Sequence, residues 1–421
     1  MNNERLPVGW IEKPLGKLVT FQKGKKTETS DTWQAGYLRY LGASGLQGLE
    51  DGYAATTGAV LAGAKDVLML WDGERSGLVG CGQVGVVAST VARMAPNDDI
   101  LPEYLYYFLD LHFAWIQARR TGTGVPHVPK DLGRILSVRY PSDKDRQKKV
   151  VDILQSIDMV IHNTLEQINK LSVTKEGMMA DLFSRGIDPT TGQLRPSVHD
   201  APELYQETSI GLLPKEWSVV ELEKLLADVV APMRSGPFGS ALLKEELVDE
   251  GIPLLGIDNI FVEQFNPKYR RFVTPQKFQE LSRYAVRAGD VVITIMGTVG
   301  RTCVIPDNIG VALSSKHLWT MTFDTQKILP DLVCWQLNYS SWAESWFRRE
   351  SQGGVMEAIQ SQTLKRLKLV VPVPEEQEKL KEIYLNLNDR LNSERKQLAK
   401  LKLEKAGLMR DLLTGKVPVS A

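Results

Sequence analysis

The chain has 421 residues, enough for two or three domains with cores of their own. Its hydrophobic share of 43% and charged share of 24% are ordinary for a soluble globular protein, and its formal net charge of zero excludes a uniformly basic nucleic-acid binder but not a local basic face. No apolar run reaches the roughly 18–20 residues of a bilayer span, MNNERLPVGW lacks the apolar stretch of a secretory leader, and Cys81, Cys303 and Cys334 are too scattered for a disulfide framework, so a cytoplasmic protein is expected.

In chain order, Pro7-Val-Gly-Trp10 is followed by Leu15, Lys17 and Leu18, and then by a basic loop, FQKGKKTET (21–29). KDVLMLWDG (65–73) is an apolar, strand-like run opened by an acid. LPEYLYYFLDLHFAWIQARR (101–120) predicts a helix, with proline and an acid in its first turn. It ends in Arg119-Arg120 and runs into Gly122 and Gly124; Pro141 and a long helix follow. After an aperiodic stretch rich in Pro, Gly, Ser and Thr, the same landmarks return. They are Pro214-Lys-Glu-Trp217 with Leu222, Lys224 and Leu225; GDVVITIMG (289–297); LPDLVCWQLNYSSWAESWFRR (329–349) running into Gly353 and Gly354; Pro372; and a second long helix.

The long helices match best. KLSVTKEGMMADLFSRGI (170–187) and KLKLEKAGLMRDLLTGKV (400–417) are identical in register at Lys170/Lys400, Leu171/Leu401, Lys175/Lys405, Gly177/Gly407, Met179/Met409, Asp181/Asp411 and Leu182/Leu412. A period of about 210–230 residues is a tandem duplication of a domain plus helix, not a solenoid repeat. In the first helix Val150, Leu154, Ile157, Ile161, Leu165, Ile168, Leu171, Met178 and Leu182 recur at threes and fours; in the second, Leu380, Ile383, Leu387, Leu391, Leu398, Leu401, Leu408 and Leu412 do so. Such a narrow stripe is a coiled-coil seam. Each helix of roughly 37–40 residues spans about 55–60 Å, and its nearest available partner is its duplicate, packed antiparallel. The expected architecture is α+β: globular mixed α/β parts at 1–142 and 213–372, helices at 143–185 and 373–421 forming an antiparallel coiled coil, a linker at 186–212, and pseudo-twofold symmetry.

Catalytic chemistry is not visible. There is no GxxxxGK[ST] phosphate loop, no Asn-Pro-Pro-aromatic or Asp-Pro-Pro-aromatic segment of an amino-methyltransferase, and no GxSxG elbow. His112, His127, His162, His199 and His317 fall in different segments, none at metal-ligand spacing. Asp66 and Asp290 each open an apolar run, where a lone acid is usually structural. No catalytic and no metal residue is assigned.

Binding is the expectation that remains. Lys23, Lys25 and Lys26 surround Gly24 in the first half; the matching place in the second reads RSGPFGSALLK (234–244). There Gly236 and Gly239 could approach a phosphate, flanked by Arg234, Ser235, Phe238 and Ser240. NPKYRRF (266–272) interleaves Tyr269 with Arg270 and Arg271, and LSSKHLW (313–319) offers Lys316 and His317. Each stretch also reads as a solvated turn or strand end. Arg119-Arg120 and Arg348-Arg349 suit phosphate or a helix C-terminus, the latter somewhat better; Trp115, Trp342 and Trp346 suit the core. Between Phe265 and Lys316, Lys268, Arg270, Arg271, Lys277, Arg283, Arg287, Arg301 and Lys316 face only Glu280, Asp290 and Asp307.

The order domain–helix–domain–helix resembles the specificity (S) subunit of type I restriction-modification systems across essentially the whole chain. The pieces that carry the resemblance are IGLLPKEWSVVELEKL (210–225), SGPFGS (235–240), GIPLLGIDNI (251–260) with Asn259, GDVVITIMGTVGRTCVIPDN (289–308), LSSKHL (313–318), VPVPEEQEKL (371–380) and GLMRDLLTGKV (407–417). The first half departs further: YLRYLGASGLQ (37–47) parallels GIPLLGIDNI loosely, and YPSDKDRQKKV (140–150) lacks the second proline and the double acid.

The resemblance implies target recognition domains at 1–142 and 213–372, each reading one half of a split, asymmetric DNA sequence. The helices would set the gap, at most about 16–18 base pairs along a rod of that length, and would dock two methyltransferase (M) subunits; Leu154, Ile161, Ile168, Leu387, Leu398 and Leu401 are the expected coiled-coil or partner positions. Restriction (R) subunits would join. The chain itself would be no enzyme and would hold no cofactor; S-adenosylmethionine, ATP and Mg would sit on partner subunits. A coiled-coil adaptor and a self-contained DNA-modifying enzyme are the other readings; the basic segment opposes the first and the missing motifs the second.

Overall fold

The structure, a computed structural model, describes residues 6–122, 124–350 and 359–419; Gly353 and Gly354 lie outside them. The chain forms two compact units, Met1–Gln167 with Glu394–Ala421, and Ile168–Ser393. Each therefore contains the start of one long helix and the end of the other.

In the first unit an antiparallel sheet runs in the order Val19–Lys23, Val91–Pro96, Val67–Leu70, Val79–Cys81. The run VLML shows why it is uniformly apolar. Val67 and Met69 face the main core, Leu68 and Leu70 face a second core with Leu41, Leu46 and Val87, so both faces are covered. A second sheet holds Tyr37–Leu41 parallel to Gly85–Val87. Trp10–Pro14 pairs with Ser137–Pro141, at the entry to the first long helix.

The second unit repeats this construction. Its antiparallel sheet is ordered Met233–Ser235, Leu318–Met321, Val291–Thr294, Thr302–Val304. Val291 and Ile293 face one core, Val292 the other. Ile252–Leu255 runs parallel to Leu313–Ser314, and Ser218–Glu221 pairs with Lys368–Val371.

Each globular helix expected as one piece is broken in two: Pro102–Leu111 and Phe113–Gln117 in the first unit, Pro330–Tyr339 and Ser341–Glu350 in the second. At both breaks a polar side chain contacts the carbonyl four residues back. His112 Nδ1 lies 2.8 Å from the Phe108 carbonyl, and Ser340 Oγ donates to Gln336 at 2.6 Å.

The long helices occupy Lys144–Ser184 and Pro374–Leu413. In the first unit Val150 and Leu154 share a core with Met409, Leu412 and Leu413; in the second Met179, Leu182 and Phe183 share one with Leu380 and Tyr384. The start of one helix thus packs beside the end of the other, as in an antiparallel pair. Leu154 and Leu391 are buried; Ile161, Ile168, Leu387, Leu398 and Leu401 are half-buried. Leu165 is exposed, whereas Thr164 and Lys175 are buried. The three-four alternation therefore runs through polar positions that an apolar scan passes over.

Residues 186–212 are anchored rather than free. Gly186 ends the first long helix at φ 64, and a Cβ there would lie 2.2 Å from the Trp217 ring. Glu376, fully buried, accepts from Nη1 and Nη2 of buried Arg195 at 2.6 and 3.0 Å, from Trp217 Nε1 at 2.8 Å and from the Ile187 amide at 2.7 Å. Tyr205–Thr208 and Gly211–Pro214 form a hairpin. In the first unit Gly415, at φ 73, likewise abuts Pro7 and Trp10. The recurring Pro-x-x-Trp landmark is thus the seat for a helix end.

Candidate nucleic-acid interface

In the second unit, segments far apart in sequence meet at one cavity of about 320 Å³. Gly239 comes from the SGPFGS loop, Arg271 from NPKYRRF, and Ser315, Lys316 and His317 from LSSKHL; Lys244 joins them, over a floor including Leu247 and Leu254. Ser315 Oγ is buried without a hydrogen-bond partner among the described residues. An orphaned hydroxyl under a cationic rim suits an oxyanion ligand. Burial, with the positive charges of Lys316 and Arg271, holds the His317 imidazole below its ordinary pKa.

Phe238, Gly239, Ser240, Arg270 and Lys316 are exposed. Gly239 has φ 58 with nothing within 4 Å of a Cβ, so its backbone is open to close approach. Arg271, whose side chain is 34% exposed, is held by Asp258, which also lies 3.8 Å from Arg270. Tyr269 is braced between Phe265 and Phe272.

Other expected ligand contacts turn inward. Arg234 is buried, paired with Asp290, and donates to the Ala285 carbonyl at 2.7 Å and Thr322 Oγ1 at 3.0 Å. It neutralises a buried carboxylate and cannot reach a phosphate. Ser235 is buried and donates to the Lys316 carbonyl at 3.4 Å. Gly236 does not approach a ligand: a Cβ there would lie 2.1 Å from the Ser314 carbonyl, so glycine is required by the chain's own backbone. Asn259 is buried, accepts from the Gly256 amide at 3.0 Å and donates to the carbonyls of Asn266 and Lys268 at 2.9 and 3.2 Å. It shapes the loop that presents Arg270 and Arg271.

The basic excess is smaller than the sequence count. Lys277 pairs with Glu246 at 2.8 Å and Glu280 at 3.2 Å, and Arg301 lies over the Phe261 ring at 5.4 Å.

In the first unit Lys25 and Lys26 are exposed, but Lys23 pairs with Asp72 at 2.6 Å. Asp72 also meets His127 Nδ1 at 2.7 Å, which leaves Nε2 of a half-exposed ring for another partner. Sequence reasoning missed this trio because its members are separated by long stretches; the close of the VLMLWD run on an acid was the available signal. Gly24 is packed against the backbone of Ala88, 2.1 Å from a Cβ, as Gly236 is against Ser314. Asp66 pairs with Arg93 at 2.8 Å, which makes it structural like Asp290.

The Arg-Arg pairs serve the helix ends. Arg120 donates to the Gln117 and Glu74 carbonyls, Arg119 stacks on Trp115 at 3.8 Å, and Arg348 pairs with Glu344 at 2.6 Å. Trp115, Trp342 and Trp346 pack against the cores. No group of His, Cys, Asp and Glu that could hold a metal ion occurs among the described residues, and none of their helices is long and apolar enough to cross a membrane.

Residues 7–172 match the family model of the type I restriction modification DNA specificity domain. The whole chain aligns with 95% of the type I restriction enzyme MjaVIII specificity subunit of Methanocaldococcus jannaschii, at 25% identity. It shares 19% identity with the EcoBI specificity subunit of Escherichia coli, over 75% of this chain and 65% of that one. The fold is similar to the crystal structure of a type I restriction-modification S subunit from M. genitalium, with a TM-score of 0.60 at 15% identity, covering 100% of this chain and 98% of that one. A chain from a structural study of complex assembly and conformational transition in the type I system gives a TM-score of 0.58 at 16% identity, covering 98% and 100%.

Proposed function

We propose that this chain, which belongs to the specificity subunits of type I restriction-modification systems, reads a two-part DNA target, one half with each unit. As a specificity subunit it supplies DNA target recognition within a complex with other restriction-modification subunits. The observation that carries the reading of individual residues is the convergence of Gly239, Arg271, Ser315, Lys316 and His317 on one cationic cavity in the second unit. Lysines with free amines place a duplex through its phosphates, and arginines on a shaped loop read base edges. In the first unit Lys25, Lys26 and His127 fill the corresponding role. The units carry different side chains at these places, so the halves of the target differ and the site is not a palindrome.

The finer assembly is part of the same proposal. Two M subunits dock on the long helices, R subunits join them, and the helices set the gap between the half-sites. Methyl transfer with S-adenosylmethionine, and cleavage with ATP and Mg, occur on those partners in the cytoplasm. Mapping modified bases in genomic DNA from cells co-expressing this chain and its M subunit tests the reading. A new two-part methyladenine motif that disappears without this chain supports it; no new motif, with the M subunit expressed and bound, refutes it.

A further inference from the structure

One turn of the second unit adopts a backbone conformation that its residue type disfavours. Glu263 joins the paired strands Ile260–Phe261 and Gln264–Phe265 at φ 59, a left-handed conformation that glycine or asparagine adopts more readily. Its amide is fixed by the Thr302 carbonyl at 2.8 Å. Such strain persists only where the surrounding structure over-determines it.

The surroundings here are both long helices. The Glu263 carboxylate, with its side chain only 14% exposed, meets Lys175 Nζ of the first helix at 2.5 Å and accepts from the Tyr384 hydroxyl of the second. Lys175 also reaches Asn388 Oδ1 at 3.3 Å, and its ammonium lies over the Tyr384 ring at 4.7 Å and the Tyr339 ring at 5.6 Å. Burial first, and then the Glu263 carboxylate, push the Tyr384 and Tyr339 hydroxyls well above the usual range, so both stay protonated. Beyond the turn, the chain runs directly into Asn266 and Lys268, whose carbonyls Asn259 holds, and then into Arg270 and Arg271.

The first unit solves the same problem differently. Lys405, in register with Lys175, pairs with Asp158 at 2.7 Å, and the Tyr107 hydroxyl donates to Asp158 at 2.7 Å. There the acid belongs to a helix and the tyrosine to the globular part. In the second unit Asn388 stands in register with Asp158, and the acid has moved to the reading hairpin.

We propose that Glu263 is a positioning residue that fixes the second unit's DNA-reading segment on the long helices, so that the tolerated gap between half-sites depends on it. The inference rests on the DNA-reading function proposed above.

The test uses the assembled complex with its M subunits. Methylation is measured on duplexes carrying the mapped motif at its natural gap and at gaps one base pair shorter and longer. Glu263→Gln alone leaves Lys175 buried and uncompensated, so it is paired with a double variant, Glu263→Gln with Lys175→Met, which removes both charges. The expected result is a double variant that melts near the wild type and keeps the same bases in each half-site. Its off-gap to on-gap ratio rises about tenfold, the size expected from losing a charge-assisted hydrogen bond. Tyr384→Phe, a milder change, shifts the ratio in the same direction. If the double variant, or Tyr384→Phe where the double variant does not assemble, keeps wild-type gap discrimination, the inference is overturned and the cluster serves stability alone. A wild-type complex with no gap preference would instead sink the proposal that the helices set the gap, and the absence of any mapped motif would sink the DNA-reading proposal itself.

Discussion

Gln147 and Gln377 make the same set of hydrogen bonds, each in the first turn of a long helix. Gln147 donates to the Asp99 carbonyl at 3.0 Å and the Pro141 carbonyl at 2.9 Å, and accepts from the Leu101 amide at 2.8 Å. Gln377 donates to Lys327 at 3.0 Å and Pro372 at 2.9 Å, and accepts from Leu329 at 2.9 Å. Each ties the start of a long helix to the N-cap of the globular helix beside it. Replacing either by leucine leaves buried backbone groups unpaired and should cost about 2–4 kcal/mol, read as a lower urea midpoint for the unit that carries the change.

Arg195 and Glu376 form a buried pair, with side chains 6% and 0% exposed. Glu376→Ala should destabilise the second unit by about 3–5 kcal/mol, because it strands a guanidinium out of water. The double change to Arg195→Met with Glu376→Leu should recover much of that loss. Guanidinium chloride unfolding of the single and double variants measures both, and a single variant as stable as the wild type would refute the buried-pair account.

Arg270→Ala should weaken discrimination at one half-site only, by about 1–3 kcal/mol for each base edge it reads. Arg271→Ala should do the same and also loosen the loop that Asp258 holds. Lys316→Ala should weaken binding evenly across sequences and reduce the slope of log affinity against log salt by about 1. Competition binding with half-site variants at several salt concentrations separates these roles.

His317 gives a pH signature with opposite signs for folding and binding. Its folded pKa lies below the ordinary value, because of burial and then Lys316 and Arg271. The folded unit therefore binds the proton less readily than the unfolded chain, and stability falls as pH drops through about 6.5. On the proposed reading a phosphate in the cavity would favour the charged ring, so duplex binding should take up a proton and strengthen over the same descent. His317→Gln should abolish the binding trend and remove only its own share of the stability trend, because burial also holds the His112 imidazole of the first unit below its ordinary pKa; thermal melts and duplex titrations from about pH 7.5 to about pH 5.5 span the ordinary imidazole pKa.

The architecture was largely legible because duplication printed each landmark twice. The seam was read less well where Thr164, Lys175, Tyr384 and Lys405 take turns of the alternation, since burial there depends on partners the stripe does not display. The site divided along a similar line. Arg270, Lys316 and Gly239 lie where an exposed loop was expected. Arg234, Ser235 and Asn259 face inward, because the acids and carbonyls they satisfy come from remote strands. The same polar residue suits a phosphate or a buried carboxylate, and only the fold decides which it meets. His127 was passed over for that reason too: its partner Asp72 closes a strand in another segment.

The division into units also bears on the order in which the chain becomes structured. Ile168–Ser393 is one continuous segment, whereas the first unit needs Glu394–Ala421 to complete it. Met409, Leu412 and Leu413 belong to the same core as Val67 and Tyr104. A chain emerging from the ribosome at about 5–20 residues per second has all of its second unit before the first unit's core can close. The globular part made first is thus sealed last, by the last turns of the final helix, and closing it over so long an intervening segment carries the entropy cost of a distant contact.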